Sequence, residues 1–292
     1  DFLKLIFANT EVDIDHWVMK LSKVVRAISN KLTTSNYISK SKRNVAHHYD
    51  LSDKLYELFL DPDRQYSCAY FNSPNDTLEQ AQINKKELIS KKLILEENQS
   101  VLDIGCGWGG MAAHIYKKSN ANVVGVTLSE EQIAYAQQRK IREKLEKVEY
   151  RLQDYRNVNE KYDRIVSVGM FEHVGTAHYQ EFFNKVYDLL NDSGVALIHT
   201  IGRLNEPGNT DPWIDKYIFP GGYIPALSET VSRVEKSGLS LTDVQVLRFH
   251  YAETLKRWRY NFYDNIDKVK EIYDEKFCRM WDFYLSSSQA SF

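Results

Sequence analysis

Two hydrophobic periods divide the chain. Up to about residue 98, apolar positions recur at three- and four-residue spacing, most plainly from Leu78 to Leu95, which predicts helices. Beyond that point short Val- and Ile-rich runs take over, at Val101–Ile104, Val123–Val126, Val148–Leu152, Arg164–Val168 and Val195–Thr200. Amphipathic segments near 109–118, 130–146 and 178–190 separate them. Such alternation predicts a parallel sheet with helices on both faces, a doubly wound, Rossmann-like α/β fold. From Gly202 to Leu227 the period lapses into Pro, Gly and aromatic residues, among them Pro207, Pro212, Trp213, Pro220, Gly221 and Gly222. An irregular stretch of that length inside a compact domain predicts a lid or binding loop. The helix-then-strand pattern resumes over Glu229–Leu247, and Ala252–Leu285 reads as helical and aromatic. No final strand is legible after Leu247, so either the sheet is one strand short or the chain stops at Phe292 before its natural end.

Composition narrows this picture. With 292 residues, 43% hydrophobic and 27% charged, the chain is globular in character. The three cysteines (Cys68, Cys106, Cys278) form no CxxC pair and no metal-ligand spacing, which predicts a reduced, cytoplasmic setting and no metal. There is no run of 18 apolar residues and no secretory pattern at the N-terminus, so no spanning segment is expected. A net charge of −2 excludes a global basic field for nucleic acid. The distribution matters more than the sum. Between Asp15 and Asp50 there is no acid, while Lys20, Lys23, Arg26, Lys31, Lys40, Lys42 and Arg43 interleave with Trp17, Val18, Leu21, Val24, Val25 and Ile28. A basic amphipathic helix of this kind suits an anionic membrane surface, and it equally suits a solvated helix face.

The sharpest local motif is Val101-Leu102-Asp103-Ile104-Gly105-Cys106-Gly107-Trp108-Gly109-Gly110, a buried strand entering a glycine turn that opens a helix. Gly105, Gly107 and Gly110 also satisfy a dinucleotide fingerprint. However, Asp103 stands where it would repel a pyrophosphate, and the next strand ends in Gly125-Val126-Thr127-Leu128-Ser129 rather than in a ribose-binding acid. S-adenosylmethionine carries an ammonium and a sulfonium and no phosphate, so a carboxylate there favours it. The motif therefore predicts a methyltransferase over a dehydrogenase. Asp154, after the third strand, reads either as an adenine ligand or as a turn residue.

Further motifs carry a resemblance. They are His48-Tyr49-Asp50-Leu51, Tyr66-Ser67-Cys68-Ala69-Tyr70-Phe71, the glycine loop, Gly125–Ser129 with Gln132, Met170-Phe171-Glu172-His173-Val174-Gly175, His199-Thr200-Ile201-Gly202 and Asp211–Ile214 with Lys216–Pro220. Together, from about residue 44 onward, they resemble the bacterial cyclopropane-fatty-acyl-phospholipid synthases and are similar to the mycolic acid cyclopropane synthases. Asp211–Pro220 follows the phospholipid-acting branch more closely. The resemblance implies a class I methyltransferase sheet spanning 44–292, a partial N-terminal helical lipid-docking segment at 1–43, and residues 202–227 as an acyl-chain lid. It implies methylene transfer from S-adenosylmethionine to a cis double bond of a phospholipid acyl chain. Tyr66, Ser67, Asp103, Gly105, Gly107, Thr127, Gln132, Asp154 and Tyr155 would line the cofactor. A bicarbonate ion would serve as base, held by Cys68, Glu172, His199, Tyr251 and the amide of Ile201. The implied setting is the cytoplasmic face of an anionic membrane, with peripheral attachment and room for a homodimer.

Chemistry makes sense of such a site. An alkene has no proton to lose before it attacks the methyl group, so transfer gives a carbocation that closes a ring only after a proton leaves the new methyl. A clamped anion in a dry pocket supplies that base and stabilises the cation, as would rings such as Tyr66, Phe171 and Tyr251. Each residue also has a plainer reading. Cys68 would be a small buried hydrophobe, His199 a core histidine, Glu172 a carboxylate at a helix N-terminus and Tyr251 a core aromatic. The sheet sets Glu172 and His199 just after adjacent strands, at the carboxyl edge where open α/β folds bind ligands. Rival functions are a relative that leaves a methyl or methylene branch, an amine methyltransferase, and a cofactor-binding scaffold without turnover.

Overall fold

The computed structural model describes residues 53–292. The expected docking segment at 1–43, the basic stretch from His16 to Arg43 and the motif His48–Leu51 lie outside the described residues. In chain order α1 (Asp53–Phe59) and α2 (Leu78–Lys92) come first. There follow β1 (Ser100–Ile104), α3 (Gly110–Ser119), β2 (Asn122–Thr127), α4 (Glu130–Arg142), β3 (Val148–Leu152), β4 (Tyr162–Val168), α5 (Tyr179–Leu189) and β5 (Leu190–His199). The helices α6 (Pro212–Tyr217), α7 (Leu227–Glu235), α8 (Arg248–Asp264), α9 (Ile266–Ile272) and α10 (Glu275–Ala290) complete the order. Two compact units emerge, a sheet unit of Lys86–Val244 and a helical unit of 53–85 with Gln245–Phe292.

In the sheet unit the strands run in the order β3-β2-β1-β4-β5, every pairing parallel. Strand alternation sends Val101 and Val166 to one face and Leu102 and Ile165 to the other, so each face carries its own apolar cluster. One cluster uses Ala112, Ala113 and Ala136, whose small side chains bring α3 and α4 close to the strands. The other is aromatic, built on Phe171, Tyr179, Phe182 and Phe183. Helix α4 shows why its sequence starts and stops where it does. Ser129 accepts from the Gln132 N–H at 3.3 Å, Glu130 and Glu131 open the helix, and Arg139, Lys140 and Arg142 end it, in accord with the helix dipole.

In the helical unit, Tyr251, Thr254, Leu255, Trp258 and Phe262 are buried along α8 at helical spacing. Cys278, Trp281, Tyr284 and Leu285 form the matching stripe on α10. Asn261 of α8 and Asn265, the residue that caps its C-terminal end, donate to the carbonyls of Phe59 and Leu58, satisfying the end of α1.

Three expectations are corrected. Residues 60–77 are turns and coil rather than helix. Short polar side chains capture the backbone there: Asp61 accepts from the Gln65 N–H at 2.7 Å, and Asp76 from those of Asn72 and Ser73 at 2.8 and 3.2 Å. The expected strand before Leu247 is absent from the described residues. Residues 240–247 are irregular, with Leu241, Val244 and Val246 about half exposed, because no neighbouring strand supplies a ladder. Strand β5 begins at Leu190, five residues early, and a register shift opposite Tyr162–Arg164 absorbs Asn191–Gly194. The irregular stretch at 202–227 holds the short helix α6 and is pinned by a bridge from Arg203 to Ala226. No described helix is long and apolar enough to cross a membrane, and no described cluster of His, Cys, Asp and Glu could hold a metal.

Candidate active site

The chain leaves β1 through Gly105, Gly107 and Gly109, all left-handed, with φ of +79°, +53° and +80°. A Cβ on Gly105 would lie 2.8 Å from the Met170 side chain, and one on Gly109 2.6 Å from the Tyr150 ring. At Gly107 nothing lies within 4 Å, leaving open space beside bare backbone. The amides of Gly105 and Cys106 both donate to the Val126 carbonyl, at 2.9 and 3.0 Å, tying the loop to the end of β2. Burial, followed by the negative charge of Asp103, pushes the Cys106 thiol well up, so this cysteine is a small hydrophobe.

At the end of β2 the Thr127 hydroxyl donates to Gln132 Oε1 at 2.8 Å. Gln132 is 3% exposed, and its Nε2 is buried with no hydrogen-bond partner among the described residues. Asp154 caps the turn Tyr155–Asn157 and takes both Nε and Nη2 of Arg156, at 2.9 and 2.7 Å. Asp154 thus caps a turn in this structure, and an adenine amino group would have to share an oxygen with Arg156. The Tyr155 ring meets Phe182 edge-on, and burial raises its phenol above the ordinary value.

Strand β4 ends at Val168 opposite His199, and the Gly169 N–H donates to the His199 carbonyl at 2.9 Å. A short turn, Phe171–His173, then presents Glu172. Its Oε1 accepts the Ile201 N–H at 2.7 Å, so two residues assigned from sequence to one site do meet. The amide expected to hold an anion thus holds the carboxylate here. Glu172 Oε2 is buried and makes no hydrogen bond among the described residues. Burial raises the pKa of Glu172, opposed by the amides of Ile201 and Glu172 itself and by the Thr200 hydroxyl. Within segment 202–227, the Tyr223 N–H donates to the Glu172 carbonyl at 3.0 Å.

The helical unit carries the other predicted residues. Tyr66, partly buried, packs against the rings of Tyr56, Phe59 and Trp258 at 5.1–5.9 Å, and its hydroxyl meets that of Tyr284 at 3.0 Å. Burial and then Tyr284 raise its pKa. Lys85, 2% exposed, donates to Ser67 Oγ at 2.8 Å and to Gln65 Oε1 at 2.7 Å. The Gln82 amide donates to the Ser67 carbonyl at 3.0 Å. Cys68 is buried, and burial pushes its thiol up to about 12 despite the Lys85 charge and the Thr254 hydroxyl. Tyr251 lies edge-on to Trp258 and Phe292.

Sequence reasoning missed the residues that hold these. Gln82, Lys85 and Thr254, which accepts the Ala69 N–H at 3.0 Å, fix residues 65–69, and Tyr150 and Tyr223 buttress the sheet side. The signal for Gln82 and Lys85 was their place among apolar residues of α2, one turn apart.

A five-stranded parallel sheet with left-handed glycines after its first strand is the class I, Rossmann-like methyltransferase fold. The comparisons make this specific. Residues 37–292 match the family model for mycolic acid cyclopropane synthetase, and the chain belongs to that family. It is 42% identical over 245 residues to the cyclopropane-fatty-acyl-phospholipid synthase of Escherichia coli K12, covering 84% of this chain and 63% of that one. It is 38% identical over 256 residues to a probable fatty acid methyltransferase of Pseudomonas putida, covering 85% and 65%. The chain thus spans just under two thirds of the length of these curated relatives. Among solved structures, the cyclopropane synthase MmaA2 from Mycobacterium tuberculosis aligns with a TM-score of 0.79 and 35% identity, covering 85% of this chain and 92% of that one.

Proposed function

We propose that the chain transfers a methylene group from S-adenosylmethionine to a cis double bond of a phospholipid acyl chain. The single observation that carries this reading is Glu172, a buried carboxyl with one oxygen on the Ile201 amide and the other without a partner. Such a group fits a small polar ion and would be costly in an apolar wall. The cofactor side fits too: open backbone at Gly107 and the orphaned Gln132 Nε2 suit a ligand with hydrogen-bond acceptors. Bound S-adenosylmethionine would supply an electrophilic methyl group, and bound bicarbonate a base.

What this chain's residues do follows from their environment. Gly105 and Gly109 shape the loop that receives the cofactor, with Thr127 orienting Gln132. Burial favours the neutral form of Glu172, whose Oε2 would then donate a hydrogen bond to a bound anion next to Ile201, with His199 assigned to the same anion by family resemblance. Cys68 and Tyr251 join this set by family resemblance, Cys68 as a neutral thiol. Segment 202–227 excludes water, which would otherwise trap the carbocation as an alcohol. Attachment to an anionic, cytoplasmic membrane surface is supported by the cations between His16 and Arg43, and should fall with salt. The similarity to a probable fatty acid methyltransferase supports one second reading, a product with a methyl branch.

Glu172→Gln tests the first reading. Turnover should fall at least about a hundredfold, while S-adenosylhomocysteine binding measured by calorimetry stays near the wild-type value. Equal loss of both would make Glu172 a structural or cofactor residue and overturn its role.

A further inference from the structure

A half-open cavity of about 240 Å³ lies in the sheet unit between the start of α5 and α7. Its lining is Thr176, Tyr179, Ser228, Glu229, Ser232 and Arg233. Three features set it apart from an ordinary surface dimple. Arg233 makes no side-chain hydrogen bond or ion pair among the described residues, although Glu229 stands one turn before it. Tyr179 is 1% exposed, and its hydroxyl is buried with no hydrogen-bond partner among the described residues. Glu229 lines the cavity while holding the Tyr223 hydroxyl and the Ala226 amide, both at 3.0 Å. The cavity also opens at the N-terminal end of α7, where Ser228 stands in the first turn of a nine-residue helix and the dipole favours negative charge.

We propose that this cavity is a binding site for a phosphoryl group bearing an adjacent ammonium, the chemistry of a phosphoethanolamine. Arg233 supplies the planar donor fork that matches a phosphoryl oxyanion. Ser228, Ser232 and Thr176 supply hydroxyl donors around it, and the Tyr179 hydroxyl gains the partner it lacks. Glu229 offers its carboxylate to the ammonium, which distinguishes this ligand from a bare anion. A volume of that size admits a headgroup and not a whole acyl chain. The Tyr223 side chain on Glu229 and its amide on the Glu172 carbonyl connect the cavity to Glu172.

The test is calorimetric titration of the full chain with phosphoethanolamine and with inorganic phosphate, which does not depend on methyl transfer. Wild type should bind both, and Arg233→Gln should weaken both by about tenfold or more. Glu229→Gln, which keeps an acceptor for Tyr223, should weaken phosphoethanolamine selectively. Ser232→Leu, which fills the cavity, should abolish binding and guards against an uninformative first variant. Melting curves establish that each variant is folded. The source is then read from vesicles of phosphatidylethanolamine: a raised KM at unchanged kcat in Arg233→Gln assigns the site to a lipid headgroup, and an unchanged KM assigns it to a free phosphate ester. Absence of phosphoethanolamine binding to wild type, or binding indifferent to Arg233→Gln and Ser232→Leu, overturns the proposal.

Discussion

The sheet unit and the helical unit hold their candidate residues by different means. In the sheet unit the glycine loop is a backbone object. Its shape rests on three left-handed residues and on the absence of Cβ atoms at two of them. In the helical unit the segment 65–69 has no regular structure and is held by side chains, namely Gln82, Lys85 and Thr254, against a wall of aromatic rings. The difference teaches where each is fragile. A backbone site fails when any side chain is added, and a side-chain site fails when a hydrogen-bond partner is removed.

The largest expected effect comes from breaking the first kind. Gly105→Ala adds a left-handed strain of about 1–2 kcal/mol and overpacks Met170, for a total of about 2–4 kcal/mol. Gly107→Ala meets nothing within 4 Å and carries the strain alone. Urea midpoints of the pair measure the difference, and equal midpoints would show that the Met170 contact is not what demands glycine.

Thr254→Val breaks the second kind with almost no change in volume. It leaves the Ala69 N–H, on a fully buried residue, without its acceptor, at a cost of about 1–3 kcal/mol. Faster hydrogen exchange at the Ala69 amide would locate the damage, and unchanged exchange would place the support elsewhere.

A smaller effect sharpens the comparison through pH. Burial raises the Glu172 pKa above the ordinary 4.5, so the folded state favours the proton. Stability from this group is full below that value and is lost as pH rises toward the raised folded pKa. Glu172→Gln removes the dependence, so its melting temperature should rise relative to wild type between pH 4 and pH 8. A constant offset across that range would show that Glu172 is ionised in the fold at no cost.

The smallest effect is a predicted lack of one. With its thiol at about 12, Cys68 should resist iodoacetamide at pH 8 in the folded protein and react after denaturation. Rapid labelling of the native chain would show a thiolate that the hydrogen bonds of this unit stabilise.

The same division explains what could be read in the sequence. All five strands and their crossovers were legible, because short apolar runs alternating with amphipathic segments leave little ambiguity. Glu172 and Ile201 were assigned to one site by motif, and the structure joins them by a 2.7 Å hydrogen bond. The coil at 60–77 was not legible, because its apolar spacing imitates a helix while Asp61 and Asp76 bind the backbone instead. Gln82, Lys85 and Thr254 escaped notice because their partners lie far away in sequence or in coil, and periodicity carries no trace of such bonds. The bond of Asp154 to Arg156 is local, yet a carboxylate two residues before an arginine reads the same in a turn and in a binding site.

The central claim is tested most directly by the product. The full chain, S-adenosylmethionine and vesicles of a cis-unsaturated phospholipid should yield acyl chains whose added carbon survives mild catalytic hydrogenation as a ring. A methyl-branched or exomethylene product, or no acyl-chain product from folded protein that binds the cofactor, would contradict the account.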